Sequence, residues 1–318
     1  MTAYIEWLAE HFRTEACEGR ARTISDDATS GETRHVLGYA TGYGVAQIAP
    51  FVLSLRTHFR GGVHLVVDPE PGMLAFLAEH DVEALTPPMS SGWRPHVAVE
   101  RLAAFEAVLE RLPEGSCALL TDVRDVLFQG DPLTPAPATI EAFEEAGSCG
   151  GHRFNMKYIT ALVGPGMAEV IKDRPALCVG TVVGPARELA RLCRTMLMLS
   201  ARPRSALGGA FGADQATFNV AAHLDLAPIE RRANFLRVAT VGLVDGRRLT
   251  IDRGLILNPD GGTSPIVHQY DRHEHLHAHV RRRWSAELPT RRHAPARPIV
   301  ARLHRMAQSF RRRIPELR

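Results

Sequence analysis

Between residues 35 and 128, short apolar runs alternate with segments of helical spacing, and this alternation restricts the fold more than any other feature of the chain. HVLGYATGYG, starting at His35, reads as a core strand ending in glycines, and VAQIAPFVLSLRTHF follows with helical periodicity. VHLVVDPEPG repeats the theme with GMLAFLAEH as its helix. VEAL and VAVERLAAFEAVLERL make a third unit, and CALLTDVRDVLF is the fourth apolar run. Strand, helix, strand, helix in this rhythm predicts an α/β fold built on a parallel, doubly wound sheet. Such sheets bind ligands beyond the carboxyl ends of their strands, near a reversal of strand order. Polar residues that directly follow an apolar run are therefore the first candidates for a site.

Before this region, residues 1–34 read as a helix and a polar loop rich in turn formers. After about residue 150 the pattern loosens: FNMKYITALVG, CVGTVVG and FGADQATFNVAAHL mix short apolar runs with glycine and polar positions. LRVATVGLV and RRLTIDRGLIL predict a strand pair, with a turn expected near Asp245-Gly246. The body of the chain, 35–284, is read as one domain, and residues 285–318 as a tail in which Pro and Arg replace the core pattern.

With 45% apolar and 23% charged residues over 318 positions, the chain has the composition of a globular protein with a real core. No apolar stretch approaches the ~20 residues of a membrane span. The first twenty residues lack the apolar core of a signal peptide, so a cytoplasmic location is expected. Five cysteines, odd in number and without a CxxC pair, argue against a zinc ribbon or a redox motif and are expected to be reduced. The net charge of +3 conceals an asymmetry. Residues 281–318 hold twelve Arg and two Glu, which leaves 26 basic and 33 acidic residues for the rest, about −7 against +10.

CALLTDVRDVLFQGDP sets Asp122 and Asp125 at the end of an apolar run. Two carboxylates so placed repel each other unless a positive group lies between them. A hard divalent cation suits them, because magnesium or manganese takes carboxylate oxygens and keeps positions for water and phosphate. The other reading of the same spacing is that one Asp caps a turn and its partner is solvated.

An apolar run followed by DxxD and further apolar residues resembles the acidic metal motif of GT-A glycosyltransferases, in its DxxD variant, and three further segments match in order. HVLGYATGYG is similar to the nucleotide-contacting first strand of that fold, GADQATFN to the element behind the donor sugar, and IVHQYDRH to the segment whose His completes the metal site. The resemblance covers residues 35–284 and implies a GT-A fold with a Rossmann-like, mostly parallel sheet, a nucleotide-binding half at 35–130 and an acceptor half at 131–284. It implies a metal-dependent hexosyltransferase that moves sugar from a nucleoside diphosphate sugar, UDP-sugar favoured, to a hydroxyl acceptor such as a cell-surface glycan precursor. The ion, Mn²⁺ or Mg²⁺, would be held by Asp122, Asp125 and His268. Asp214 and Gln215 would be catalytic, the former also readable as a helix N-cap. Thr41 and Tyr43 would meet ribose and base, Arg101 the diphosphate, and Gly180 and Thr181 the sugar, with Asp122 shared between donor and ion. Arg124, between the acids, is expected to point away from Asp125.

Two rival readings remain. His273-Glu274-His277 fits the H-E-x-x-H pattern of zinc metallohydrolases, though position 283, where one protease class has its third His, is Arg. The tail places Ile299, Val300, Leu303, Met306, Phe310 and Ile314 among arginines at near-helical spacing, as a helix on an anionic inner membrane face would. Such a tail would serve as peripheral anchor of an enzyme or as the business end of a non-enzymatic membrane-surface binding protein; the same spacing also fits a helix packed on the catalytic domain with a solvated basic face. No nucleic-acid motif accompanies it, so nucleic acid is not an expected partner.

Overall fold

A computed structural model of the chain describes residues 2–21, 33–87, 94–151, 153–201 and 212–284. In chain order the elements are α1 (Thr2–Ala21), β1 (Arg34–Tyr39), α2 (Val45–His58), β2 (Gly62–Val66), α3 (Pro71–Glu79), β3 (Glu83–Leu85), α4 (Val97–Leu109), β4 (Cys117–Thr121) and β5 (Val126–Phe128). There follow β6 (Ile140–Ser148), α5 (Arg153–Ile171), β7 (Pro175–Pro185), α6 (Ala186–Leu199), α7 (Ala213–His223), β8 (Ile229–Arg232) and β9 (Val238–Thr240). The last are β10 (Thr250–Asp252), β11 (Leu255–Leu257), β12 (Ile266–His268) and α8 (Glu274–Trp284).

Seven strands form the central sheet in the order β3-β2-β1-β4-β7-β6-β8. It is mostly parallel: β7 alone runs against its neighbours β4 and β6. Helices lie on both faces, as the alternating pattern predicts. One core gathers Trp7 and Leu8 of α1, Leu102 and Phe105 of α4, Leu189 and Met196 of α6, and Phe218 of α7 against one face of the sheet. The other gathers Ile48, Phe51 and Leu55 of α2 with Met73 and Leu77 of α3 on the opposite face. The strands between them, such as β4, are buried from end to end, as strands covered on both faces must be.

A second sheet, β5-β12-β9, lies beside the first, and β10 and β11 form a hairpin. The expected pairing of LRVATVGLV with RRLTIDRGLIL across Asp245-Gly246 does not form: β9 pairs with β12, and the hairpin lies wholly within RRLTIDRGLIL. Asp245 caps a short 3₁₀ turn over Gly246–Arg248, whereas the hairpin reverses at Arg253-Gly254, with φ of 47° and 81°. Two successive positive φ values are what a two-residue hairpin turn requires, and composition alone does not tell them from a cap. No helix among the described residues is long and apolar enough to cross a membrane. The basic tail lies outside the described residues.

Candidate metal centre

From β1 the chain steps outward to β2 and β3, then returns to place β4 on the other side of β1. The strand order therefore reverses between β1 and β4, and the carboxyl ends at such a reversal are where doubly wound sheets bind ligands. Thr41, Gly42 and Tyr43 follow β1 at this point, and Asp122 is the first residue after β4. Gly42 takes φ 81° in the turn, and its N–H donates to Asp68 Oδ2 at 2.7 Å, tying the loop to the end of β2.

The small second sheet supplies the rest. β12 pairs antiparallel with β5, setting His268 opposite Val126, and the Gln269 N–H donates to the Asp125 carbonyl at 2.8 Å. His268 is thus fixed beside Asp125 by backbone pairing. Its Nε2 lies 3.4 Å from Asp122 Oδ2 and 3.8 Å from Asp125 Oδ1, with all three side chains offering an atom within 4.8 Å of the others. Ligands on one small hard cation at about 2.1 Å stand roughly 3 Å apart when adjacent and about 4 Å when opposed. Both observed distances fall in that range. His268 Nε2 is buried and has no hydrogen-bond partner, an orphan that a bound ion would satisfy. Its other nitrogen, Nδ1, meets Cys178 Sγ at 3.4 Å, the kind of outer contact that holds a ligating imidazole in place.

β7 closes the centre from behind. Along β6 the partner on β7 jumps from Val182 to Leu177 as β6 passes from Ala142 to Glu144, so residues 178–181 bulge. Bulges of this kind re-aim side chains next to sites. Gly180 accepts the Asp122 N–H at 2.8 Å, and a Cβ there would come within 2.6 Å of Asp122 Oδ2 and 2.9 Å of His268 Nε2. After His268 the chain turns through Gln269 in the left-handed region at φ 64°, an unusual state for a side-chain-bearing residue and one that clusters at functional sites.

Arg101, in the second turn of α4, ion-pairs with Asp122 and reaches Asp214 Oδ2 at 2.7 Å. Burial alone would raise the Asp122 carboxyl, but Arg101 and His268 outweigh it and hold the group well below the ordinary range. Burial does prevail at Asp125, helped by Asp122, and its pKa is raised. His268 is raised too: burial opposes its charge, but Cys178, Asp122 and Asp125 overcome it. A proton on His268 would have to leave before a divalent cation could take its place, so ion binding here would release protons.

The structure brings together most of the residues singled out in the sequence. Asp122, Asp125, His268, Arg101, Asp214 and Gly180 converge as described. Tyr43 is half-buried beside them: burial raises its phenol, Arg124 opposes, and Asp122 and Asp125 add to the rise. Burial pushes the Tyr39 phenol up, helped by Glu100, and Thr41 opposes the rise. Thr181 is fully buried beside Thr121, with its hydroxyl unpartnered. Gln215 donates to the buried Glu145 of β6. Arg124 points away, pairing with Asp271 at 3.0 Å. Asp214 is not the N-cap of α7: Gly212 holds that position, in the left-handed region at φ 89°, and the Asp214 carboxylate is turned to Arg101 instead.

Sequence reasoning missed Cys178, Gln269 and Glu145, and gave no separate structural role to Asn219. The Asn219 amide hydrogen-bonds both backbone groups of Leu177 at 2.9 Å, pinning β7 at the start of its bulge. Among the described residues, the H-E-x-x-H histidines His273 and His277 do not converge on a third ligand. His273 Nε2 contacts the Val241 carbonyl at 2.8 Å, and the neighbouring His275 contacts Leu249 at 3.1 Å. Among the described residues, the one group of three or more metal-ligating side chains is Asp122, Asp125 and His268. No protein-family model matches the chain, and no curated protein matches it.

Proposed function

We propose that this chain is a metal-dependent GT-A glycosyltransferase that transfers a hexosyl group from a nucleoside diphosphate sugar to a hydroxyl acceptor. The observation that carries this reading is the convergence of two carboxylates and an orphaned, buried imidazole nitrogen at the point where strand order reverses. That is where an open α/β sheet binds a nucleotide. When bound, manganese or magnesium held by Asp122, Asp125 and His268 would supply positive charge next to the departing diphosphate.

The other residues take roles that their positions allow. Arg101 anchors Asp122 and Asp214 at once, so it couples the metal side of the site to the first turn of α7. It also adds a planar cation suited to phosphate oxygens. Tyr43 offers a ring face beside the site for the base, and Thr41 lines the same turn. Asp214 and Gln215 start α7 and hold the donor sugar, with Glu145 fixing the Gln215 amide. Gly180 backs the acidic centre from the bulge of β7, where the missing Cβ makes room for Asp122 and His268, and Thr181 is buried behind it rather than open to a sugar. A UDP-sugar is the favoured donor and a glycan precursor the favoured acceptor, with the basic tail as a peripheral anchor at an anionic membrane face.

Donor turnover in manganese buffer, followed by nucleotide release, tests the reading. Asp125→Ala is expected to reduce turnover by at least about 100-fold while the far-ultraviolet spectrum stays unchanged, since a first ligand outranks the outer-shell groups whose loss costs 10–100-fold. Turnover that survives both this substitution and chelation of divalent ions would overturn it.

A further inference from the structure

We propose that His35 and His64 form a second cation site, one that takes a borderline divalent ion such as zinc, nickel or copper, at the end of the sheet opposite Asp122. Both residues lie at or near the amino ends of parallel strands, where β1 pairs with β2 in the register His35 to Gly62 and β2 with β3 in the register His64 to Glu83. His35 Nδ1 and His64 Nε2 face each other at 3.1 Å. Two imidazole nitrogens on one tetrahedral zinc ion, each about 2.0–2.1 Å from it, stand roughly 3.4 Å apart. A few tenths of an ångström of ring movement therefore converts the pair into two arms of a site.

A neutral imidazole pair at this distance also makes one ordinary hydrogen bond, but two further features serve a metal. The far nitrogen of His64, Nδ1, lies 2.5 Å from Glu83 Oε2. A carboxylate there keeps the proton on Nδ1 and presents the Nε2 lone pair towards His35, the arrangement found behind ligating histidines. The residue beneath the gap is Gly62, where a Cβ would lie 2.5 Å from His35 Nδ1 and 3.1 Å from His64 Nε2. Any other residue would fill the space that an ion needs. Gly62 is only partly buried, so water can reach the gap to complete the coordination.

The two centres should select different ions. Oxygen dominates at Asp122 and Asp125, which favours a hard cation, whereas a pair of imidazoles favours zinc, nickel or copper. With two protein ligands the site binds reversibly, and it would clamp β1, β2 and β3 at the sheet margin.

The test uses the full chain carrying Asp125→Ala, so that the acidic centre is disabled and the His35 site stands apart from the proposed activity. Zinc uptake is measured by calorimetry and copper coordination by electron paramagnetic resonance. The expected result is a saturable site whose copper spectrum shows two imidazole nitrogens, weakened at least tenfold by adding His64→Gln or Gly62→Ala. His64→Gln, on a half-buried side chain, keeps the test decisive should Gly62→Ala fail to fold. Equal affinity and stoichiometry with and without His64→Gln would overturn the proposal.

Discussion

At Gly180 the backbone lies so close to the acidic centre that a methyl group would sit 2.6 Å from Asp122 Oδ2. Neither neighbour can yield freely, because Asp122 is tied to Arg101 and His268 is fully buried. Gly180→Ala should therefore displace His268 or Asp122, cost about 1–3 kcal/mol in overpacking, and weaken manganese dependence of donor turnover at least tenfold. A manganese titration of the variant that overlays the wild type would show that the close approach has no part in the site. The acidic residues of this centre were legible because carboxylates after an apolar run stand out in a chain. Cys178 and Gln269 were not: a thiol behind an imidazole and a left-handed φ after His268 depend on a bulge and a cross-sheet pairing that no local pattern encodes.

Among the elements, the first three strand–helix units were legible because each carries its own period over enough residues to be read. β5, β9 and β12 span three residues each, too few to display an alternation, yet their pairing is what delivers His268 to Asp125. The antiparallel course of β7 was equally hidden, since strand direction is set by what the chain does between strands. α1 offers a test at this scale. It docks through Trp7 and Leu8 and through His11, whose Nε2 lies 2.9 Å from Oε2 of Glu106, a carboxylate with no exposure that also pairs with Arg194 at 2.5 Å. Burial would raise the Glu106 pKa, but His11 and Arg194 outweigh it and hold it below the ordinary value. A depressed carboxylate contributes stability above its unfolded pKa of about 4.3 and loses it as pH falls through the lower folded value. Thermal melts should thus show wild-type stability falling below about pH 4, with a shallower fall in Glu106→Gln. Parallel pH profiles for the two proteins would remove Glu106 from the account of α1 docking.

Across the whole molecule, the two halves inferred from the sequence share one sheet. β6, β7 and β8, from the second half, continue the sheet that β1 to β4 begin, and α7 reaches back through Asp214 to Arg101 of α4. If the chain transfers sugar as proposed, donor and acceptor would meet between these halves, and nucleotide and metal would bind as one event. The net negative body would oppose a diphosphate, so a cation would be a condition of donor binding. The direct measurement is a thermal-shift comparison of the full chain with UDP, GDP, ADP and CMP, with and without manganese, in wild type and Asp125→Ala. The wild type should be stabilised by one nucleotide, UDP first, only when manganese is present, by about 2–3 kcal/mol at a ligand concentration 100 times Kd, with no such shift in Asp125→Ala. A transition that no nucleotide moves in manganese, or a nucleotide shift that persists in Asp125→Ala, would contradict it.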